Sequence, residues 1–344
     1  MILPILVVDG IEVKEFKSFS LSFPGSNQLN KLTASITNPD YDNASLFGKE
    51  VELYLNAGSI DTVPIFRGVI KTLSPTDKNV SISCLDVRTF ITGKDSQKIN
   101  VTDGDNYDGF SVAQFLRKVI SETVNKDKIR IGLGMLRDTN NLLPLTGYRG
   151  NEAPFDIAKN KLDDAIDIAD LNNPLFYMLD IEEGANNSHI VIKKQKYLSE
   201  SSSLKLSTRD GILKYSYKRR PIPSKVDIES KGHVNSISLG STPHGPYATS
   251  ISKEFDNPEE ARKYAILYLR KQQQEIDEIS VEASKGYYTS LESIVDIDVD
   301  KPEIDGTHRL VSKSISWSNN KLSLSLNLNK RPIKISQYLS ANNQ

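Results

Sequence analysis

Leu322-Ser-Leu-Ser-Leu-Asn-Leu328 is the stretch of this 344-residue chain from which its fold can be read. Side chains alternate across a strand, so Leu322, Leu324, Leu326 and Leu328 fall on one face while Ser323, Ser325 and Asn327 fall on the other. Burying each leucine is worth about 1.5–3 kcal/mol as an upper estimate. The same alternation runs through residues 279–283, 294–299 and 310–317. Ahead of these strands the pattern changes to helical spacing over 258–275. Asn257 can cap that helix, Pro258 fits its first position and Glu260 sits where a capping-box carboxylate reaches back. Ala261, Tyr264, Ala265 and Tyr268 share one face, widened by Ile266, Leu267 and Leu269. The last third therefore predicts an antiparallel sheet with one dry and one polar face, carrying a single helix. A long polar face suits a wall turned toward a channel or a partner.

Working outward, residues 1–98 read almost wholly as strands. Ile11 and Val13, then Phe19, Leu21 and Phe23, alternate with polar residues up to the turn Pro24-Gly25. Leu32, Ala34 and Ile36 repeat the pattern before Asn38-Pro39-Asp40. Further strands are expected at 51–55, 65–73 and 80–87, and such spacing suggests a sandwich or barrel rather than a parallel α/β fold. Residues 99–205 differ. Ser111 and Gln114 form a capping box ahead of the stripe Val112, Phe115, Leu116, Val119 and Ile120. A second helix is expected over 155–171, with Ala158, Leu162, Ala165, Ile166 and Ala169 inward, then strands at 175–181 and 189–194. Residues 137–150 read as an irregular loop. From 206 to 335 the chain is β-rich again, with Leu213, Tyr215 and Tyr217 on one strand face, a strand at 226–230 and a polar loop at 239–247. Residues 336–344 read as a flexible tail. The fold expected is mainly β with an α+β insert: two antiparallel β-barrel or sandwich domains, related to each other, flanking a small α+β domain.

Composition excludes more than it identifies. The formal net charge of −1 gives no electrostatic reason to expect nucleic-acid or membrane binding. One cysteine, Cys84, excludes an internal disulfide framework and fits a reducing compartment. Residues 2–8 are apolar but short of a membrane span, carry no basic leader and read as an opening strand. Gly132-Leu-Gly134 lacks a third glycine, and there is no Walker-type loop, H-E-x-x-H, C-x-x-C pair or nucleophile elbow. His189, His233, His244 and His308 are scattered, and Cys84 lies inside an alternating strand where packing explains it. No catalytic residue, cofactor or metal site is expected, and the chain is not expected to be an enzyme. The basic clusters Lys193-Lys194, 214–220 and Lys330-Arg331 lack the interleaved aromatics that stack on bases and read as solvated strand ends.

The most chemical feature is an acidic strand. Asp296, Asp298 and Asp300 alternate with Ile297 and Val299, so three carboxylates project from one face. They make a poor glycosidase dyad, because neighbours on one strand meet water together and nothing raises one pKa above the other. They also lack the spacing and turn glycine of a calcium loop. The plain reading is a solvated sheet face. The sharper one is a pore wall whose negative charge lets a phosphate backbone pass without sticking.

With these elements in order, the chain resembles the hub proteins of tailed viruses, at the baseplate of contractile tails, in long flexible tails and in type VI secretion spikes. The passages that carry the resemblance are Pro64-Ile-Phe-Arg-Gly-Val-Ile70 followed by Ser81-Ile-Ser-Cys-Leu-Asp86, and Phe155-Asp-Ile-Ala158 with Leu162-Asp-Asp-Ala-Ile-Asp-Ile-Ala169 leading to Pro174-Leu-Phe-Tyr177. The closing order, from Asn257-Pro-Glu-Glu-Ala-Arg262 through Asp305-Gly-Thr-His-Arg-Leu-Val311 to the alternating tail, carries it further. The resemblance implies two tail-tube-like domains per subunit in a homotrimer, giving a pseudo-sixfold ring. That ring would join a hexameric tail tube protein to a central spike or fibre, with a tape-measure protein as a further partner, and leave a channel for genome passage. It implies a structural protein of the virion tail, assembled in the host cytoplasm, with no cofactor and no membrane anchor. No appended lysozyme or peptidase segment is visible, so wall-degrading activity is not carried over. Two alternatives stand beside it. A receptor- or carbohydrate-binding module could use Tyr287-Tyr288 and Trp317 as stacking platforms, and a carboxylate-dependent hydrolase could use the acidic strand.

Overall fold

The computed structural model of the chain describes residues 3–25, 28–37, 43–56, 63–92, 99–101, 110–123, 131–132, 150–164, 166–167, 175–194, 200–219, 225–230, 233–238, 248–252, 258–259, 261–262, 265–266, 269, 277–302 and 304–328. The first block contains β1 (Leu3–Val8), β2 (Ile11–Glu12), β3 (Phe16–Phe23), β4 (Lys31–Ile36), α1 (Asn43–Leu46), β5 (Glu50–Asn56), β6 (Phe66–Pro75) and β7 (Val80–Asp86), closed by a 3₁₀ turn at Val87–Ile91. Their order in the sheet is β3-β4-β7-β6-β5-β1-β2, all antiparallel. Alternation does the sorting: Leu32, Ala34 and Ile36 are buried on β4, as are Val80, Ile82 and Cys84 on β7. Burial pushes the Cys84 thiol up to about 12, so at neutral pH it packs as a small apolar group.

The insert contains β8 (Ile99–Val101), α2 (Val112–Thr123), β9 (Ile131–Gly132), β10 (Gly150–Glu152), α3 (Pro154–Asp164), β11 (Ile166–Asp167), β12 (Leu175–Glu183) and β13 (Ser188–Lys194). The capping box is formed as expected: the Gln114 N–H donates to Ser111 Oγ at 3.2 Å, and the Ser111 N–H to Gln114 Oε1 at 2.9 Å. The second helix is shorter than its pattern. It ends at Asp164, and Ile166–Asp167 instead pair antiparallel with Leu175 and Phe176. Strand pairing of the residues that follow ends a helix that the apolar stripe alone would continue. Ala165 and Ala169 lie outside the described residues, as does the loop over 137–149.

The second block contains β14 (Leu204–Ser207), β15 (Ile212–Arg219), β16 (Lys225–Ser230), β17 (His233–Ser238), β18 (Ala248–Ser252), β19 (Asp277–Ala283), β20 (Ile294–Asp298), β21 (Gly306–Ser318) and β22 (Lys321–Leu328). Strands β16, β17 and β18 form a small sheet of their own. Residues 258, 259, 261, 262, 265, 266 and 269 are helical, with Ala261, Ala265 and Leu269 buried at the expected spacing; the rest of the predicted helix, Tyr264, Leu267 and Tyr268 included, lies outside the described residues. One expectation fails on β15. Leu213 does not share a face with Tyr215 and Tyr217: the register shifts between Ile212 and Lys214, so Ile212 packs inward and Leu213 is left 62% exposed.

The two β-rich blocks meet in a hydrogen-bonded ladder. β3 pairs antiparallel with β21 from Phe23↔Lys313 to Ser18↔Ser318, so one 13-stranded sheet runs β15-β19-β22-β21-β3-β4-β7-β6-β5-β1-β2, with β20 and β14 branching from β21. One core serves both blocks, with Leu21 and Ile315 facing each other across the seam, both fully buried. The turn that ends β3 fits closely against β21. Gly25 has φ +72°, and a Cβ there would lie 2.2 Å from the Val311 carbonyl oxygen, so the position excludes other residues twice over. A second core fills the insert, where Phe115, Val119, Ile157 and Leu162 of the helices meet Leu179 and Ile190 of the β12–β13 hairpin. Met178, one residue from Leu179, joins the first core instead, so the hairpin lies between the two.

Candidate functional site

The polar side of the large sheet is a continuous array of hydroxyls. Ser323 of β22, Ser316 of β21, Ser20 of β3, Thr33 of β4, Ser83 of β7 and Thr72 of β6 stand directly opposite one another in register. A second row runs Ser318, Ser18, Ser35, Ser81 and Ser74 across five of those strands. On the other flank Ser216 of β15 opposes Ser280 of β19, which opposes Asn327 of β22; the Asn327 amide donates to Ser312 Oγ at 3.0 Å. The rows thus cross eight strands and the seam between the blocks. Strand geometry spaces the hydroxyls by about 4.8 Å across the sheet and about 6.8 Å along it. Ser20, Ser74, Ser216, Ser314, Ser316 and Thr72 are exposed to solvent. The face dips into a shallow depression of 270 Å³ where Ser216, Ser280, Ser314, Ser316 and Ser325 converge beside Lys214 and Glu282. The alternation that builds this face is that of Leu322–Leu328, repeated on strands distant in sequence.

The acidic strand keeps its alternation but stands apart. Asp296 is half-buried, in register with Lys205 of β14 and Thr307 of β21, while Asp298 and Asp300 are exposed and Val295, Ile297 and Val299 feed the core. Among the described residues, strand β20 reaches the large sheet only through β21. Among the described residues no group of three or more His, Cys, Asp or Glu side chains could hold a metal ion. His308 donates from Nε2 to the Ile304 carbonyl oxygen at 2.6 Å, His189 is half-buried on β13 and His233 lies on β17; His244 lies outside the described residues. Gly132 pairs with His189 as part of a short ladder, and Gly134 lies outside. Lys193 is engaged by Asp180 and Glu182 at 3.1 and 3.0 Å, and Lys214 and Lys218 are exposed on β15; Arg220, Lys330 and Arg331 lie outside. Trp317 packs against Phe16 at 5.0 Å between ring centroids and is part of the sheet, which weakens it as a stacking platform. Tyr287 is half-buried, and Tyr288, 54% exposed, donates its hydroxyl to the Leu55 carbonyl.

The sequence reading missed two buried arginines that fasten the insert to the sheet. Arg67 of β6 is fully buried: Nε donates to Glu52 Oε1 at 2.8 Å, and its other nitrogens reach the Gly184 and Ala185 carbonyls at the β12–β13 turn. Glu183 closes this contact, accepting from the Arg67 N–H at 3.2 Å and from Ser188 Oγ at 2.5 Å. Burial pushes the Glu183 carboxyl up to about 7, against the opposing pull of Ser188 and Arg67. Arg88 donates to the Leu179 carbonyl at 2.7 Å and the Gln28 carbonyl at 2.9 Å while paired with Asp86 at 2.6 Å. The available signal was a charge inside the apolar run Ile65-Phe-Arg-Gly-Val-Ile70.

No protein-family model matches the chain, and no curated protein matches it. Solved structures do. A tail protein from Neisseria meningitidis superposes with a TM-score of 0.63 at 14% identity, covering 98% of each chain. The 43 kDa tail protein of prophage MuSo2 from Shewanella oneidensis gives 0.66 at 10% identity, over 96% of this chain and 97% of that one. An Escherichia coli component of the type VI secretion system, itself described as similar to T4 bacteriophage tail proteins gp27 and gp5, gives 0.53 at 10% identity over 96% of this chain and 80% of that one. The chain therefore shares the mainly antiparallel fold of these tail proteins, a fold also found in that type VI secretion component.

Proposed function

We propose that this protein is a structural component of a virus tail that assembles as a homotrimeric, pseudo-sixfold hub ring, joining the tail tube to a central spike or fibre around a channel for genome passage. The observation that carries this reading is the hydroxyl face, continuous over eight strands and over the seam between the blocks. A wall rich in hydroxyls holds water, and its cations are few and spread out, with Lys31 opposite Ser22, Lys321 opposite Ser318 and Lys214 opposite Glu282, whereas binding of a phosphate backbone rests on many Lys and Arg neutralising phosphates. The acidic strand joins the proposal as a flanking element of that wall. The sheet's ends support assembly. Among the described residues β15 has a strand partner on one side only, and β2 covers only Val7 and Val8 of β1. Leu213 lies exposed at the first end, with Leu3 and Ile11 exposed at the second. Open edges carrying apolar side chains call for a partner, and copies arranged head to tail close a ring. Light scattering on the purified chain over a range of concentrations should give the mass of three subunits. A monomer at every concentration, with no ring formed on addition of tail tube, would overturn the reading.

A further inference from the structure

Strands β15 and β19 form one end of the hydroxyl face, and there serine alternates with charge. Lys214 stands directly opposite Glu282, Ser216 opposite Ser280 and Lys218 opposite Glu278. A strand repeats every two residues, so the three pairs share the polar face. Both lysines are exposed and both glutamates half-buried, and Lys214 and Glu282 border the depression together. Among the described residues of the hydroxyl rows, Lys31 and Lys321 are the other charges, and they stand opposite Ser22 and Ser318. Both carboxylates of this face are thus spent opposite lysines, at the one place where two lysines share a strand.

Resting on the channel-wall reading above, we propose that Glu278 and Glu282 are the residues that keep this wall from gripping DNA, by cancelling the charge of Lys218 and Lys214. Side chains directly opposite on an antiparallel pair have Cβ atoms about 4.5–5.5 Å apart. That is short against the screening length of about 8 Å at physiological salt, so a passing phosphate meets each pair as a near-neutral dipole rather than as a cation. No metal-binding group competes for the two carboxylates: among the described residues no cluster of His, Cys, Asp or Glu could hold an ion. The lysines keep the strand end hydrated, and the glutamates withhold them from the phosphate backbone, whose affinity grows with each cation left free to neutralise it.

The test is fluorescence anisotropy of a labelled DNA duplex titrated with the intact chain from about 50 to about 200 mM salt. Glu278→Gln with Glu282→Gln preserves side-chain size and removes both charges. This variant should bind about ten-fold more tightly than the wild type at the low end, with a log–log salt slope steeper by about 2, as two freed lysines require. Adding Lys214→Gln and Lys218→Gln should return binding to the wild-type level. Asp9→Asn with Asp210→Asn makes the same change in net charge but frees Lys49 and Lys285, outside the hydroxyl rows, and should gain little. Should the first variant fail to fold, Glu282→Gln alone should show about half the change in slope. Equal gains in the two charge-matched variants, or no gain in the first, would overturn the proposal while the wall reading stands, leaving pairs that merely hold an edge strand. Tight binding by the unaltered chain would overturn the wall reading and the proposal with it.

Discussion

Arg67 and Arg88 bury guanidinium groups where the first block meets the hairpin, and each spends most of its donors on backbone carbonyls as well as on carboxylates. Removing one partner from such a set strands the other charge, which is why these contacts are specific rather than merely adhesive. Glu183 makes the set sensitive to pH. Its folded pKa of about 7 lies above the ordinary value of 4.5, so the folded chain binds more protons than the unfolded one between those limits. Stability from this group is therefore complete below about pH 4.5 and is lost as pH rises through about 7, by up to about 3 kcal/mol. Lys313 stays protonated over most of that window and adds little slope. Urea midpoints between pH 4.5 and 7.5 should show this fall in the wild type and a flatter profile in Glu183→Gln. Equal slopes in the two proteins would assign the pH dependence elsewhere.

At the scale of elements, the seam between β3 and β21 makes one cooperative unit of two blocks far apart in sequence. Leu21→Ala should cost about 2–5 kcal/mol, because Leu21 and its seam partner Ile315 are fully buried and the cavity cannot collapse without moving a ladder. The chain supplies one probe on each side, its single tryptophan, Trp317, in β21 and its single cysteine, Cys84, in β7. Trp317 fluorescence and Cys84 thiol labelling should report the same shifted midpoint in Leu21→Ala; separate midpoints would mean that the blocks unfold independently. The elements themselves were legible where alternation or helical spacing was strong, as in Leu322–Leu328, in the Ser111 capping box and in the buried face of β4. Three things were not. The shift at Leu213 adds one residue to a strand without changing its composition. The end of α3 at Asp164 is decided by strand pairing that overrides a good helical stripe. The choice of β3 as neighbour to β21 is non-local, since several alternating strands would pair equally well by pattern alone.

For the molecule as a whole, the hydroxyl face was half visible. Each strand announced a polar side, but only the register shows that Ser316, Ser20, Thr33 and Ser83 form one row. The candidate site named from sequence, Asp296, Asp298 and Asp300, was chosen for its charge, and charge marks a residue more clearly than a serine in a serine-rich chain. If the face works by carrying few cations, adding more should change it. Ser20→Arg with Ser316→Arg, both on exposed positions and directly opposite each other, should lower the melting temperature modestly, because like charges then face each other across the ladder, and confer salt-sensitive retention of duplex DNA, measured by fluorescence anisotropy. Strong DNA binding by the unaltered protein would contradict a non-gripping wall.

The ladder between β3 and β21 also has a consequence for how the chain is made. Residue 23 leaves the ribosome about 290 residues before residue 313, its partner in the finished sheet. At synthesis speeds of roughly 5–20 residues per second, that is a wait on the order of half a minute. Throughout it, β3 is the end strand of a half-built sheet with its outer hydrogen bonds unmet, and neighbouring chains on one polysome present the same edge. The nascent protein is thus most prone to pair with the wrong copy while its own closing strand is still untranslated, and truncated products ending before β21 would be expected in aggregates rather than in solution.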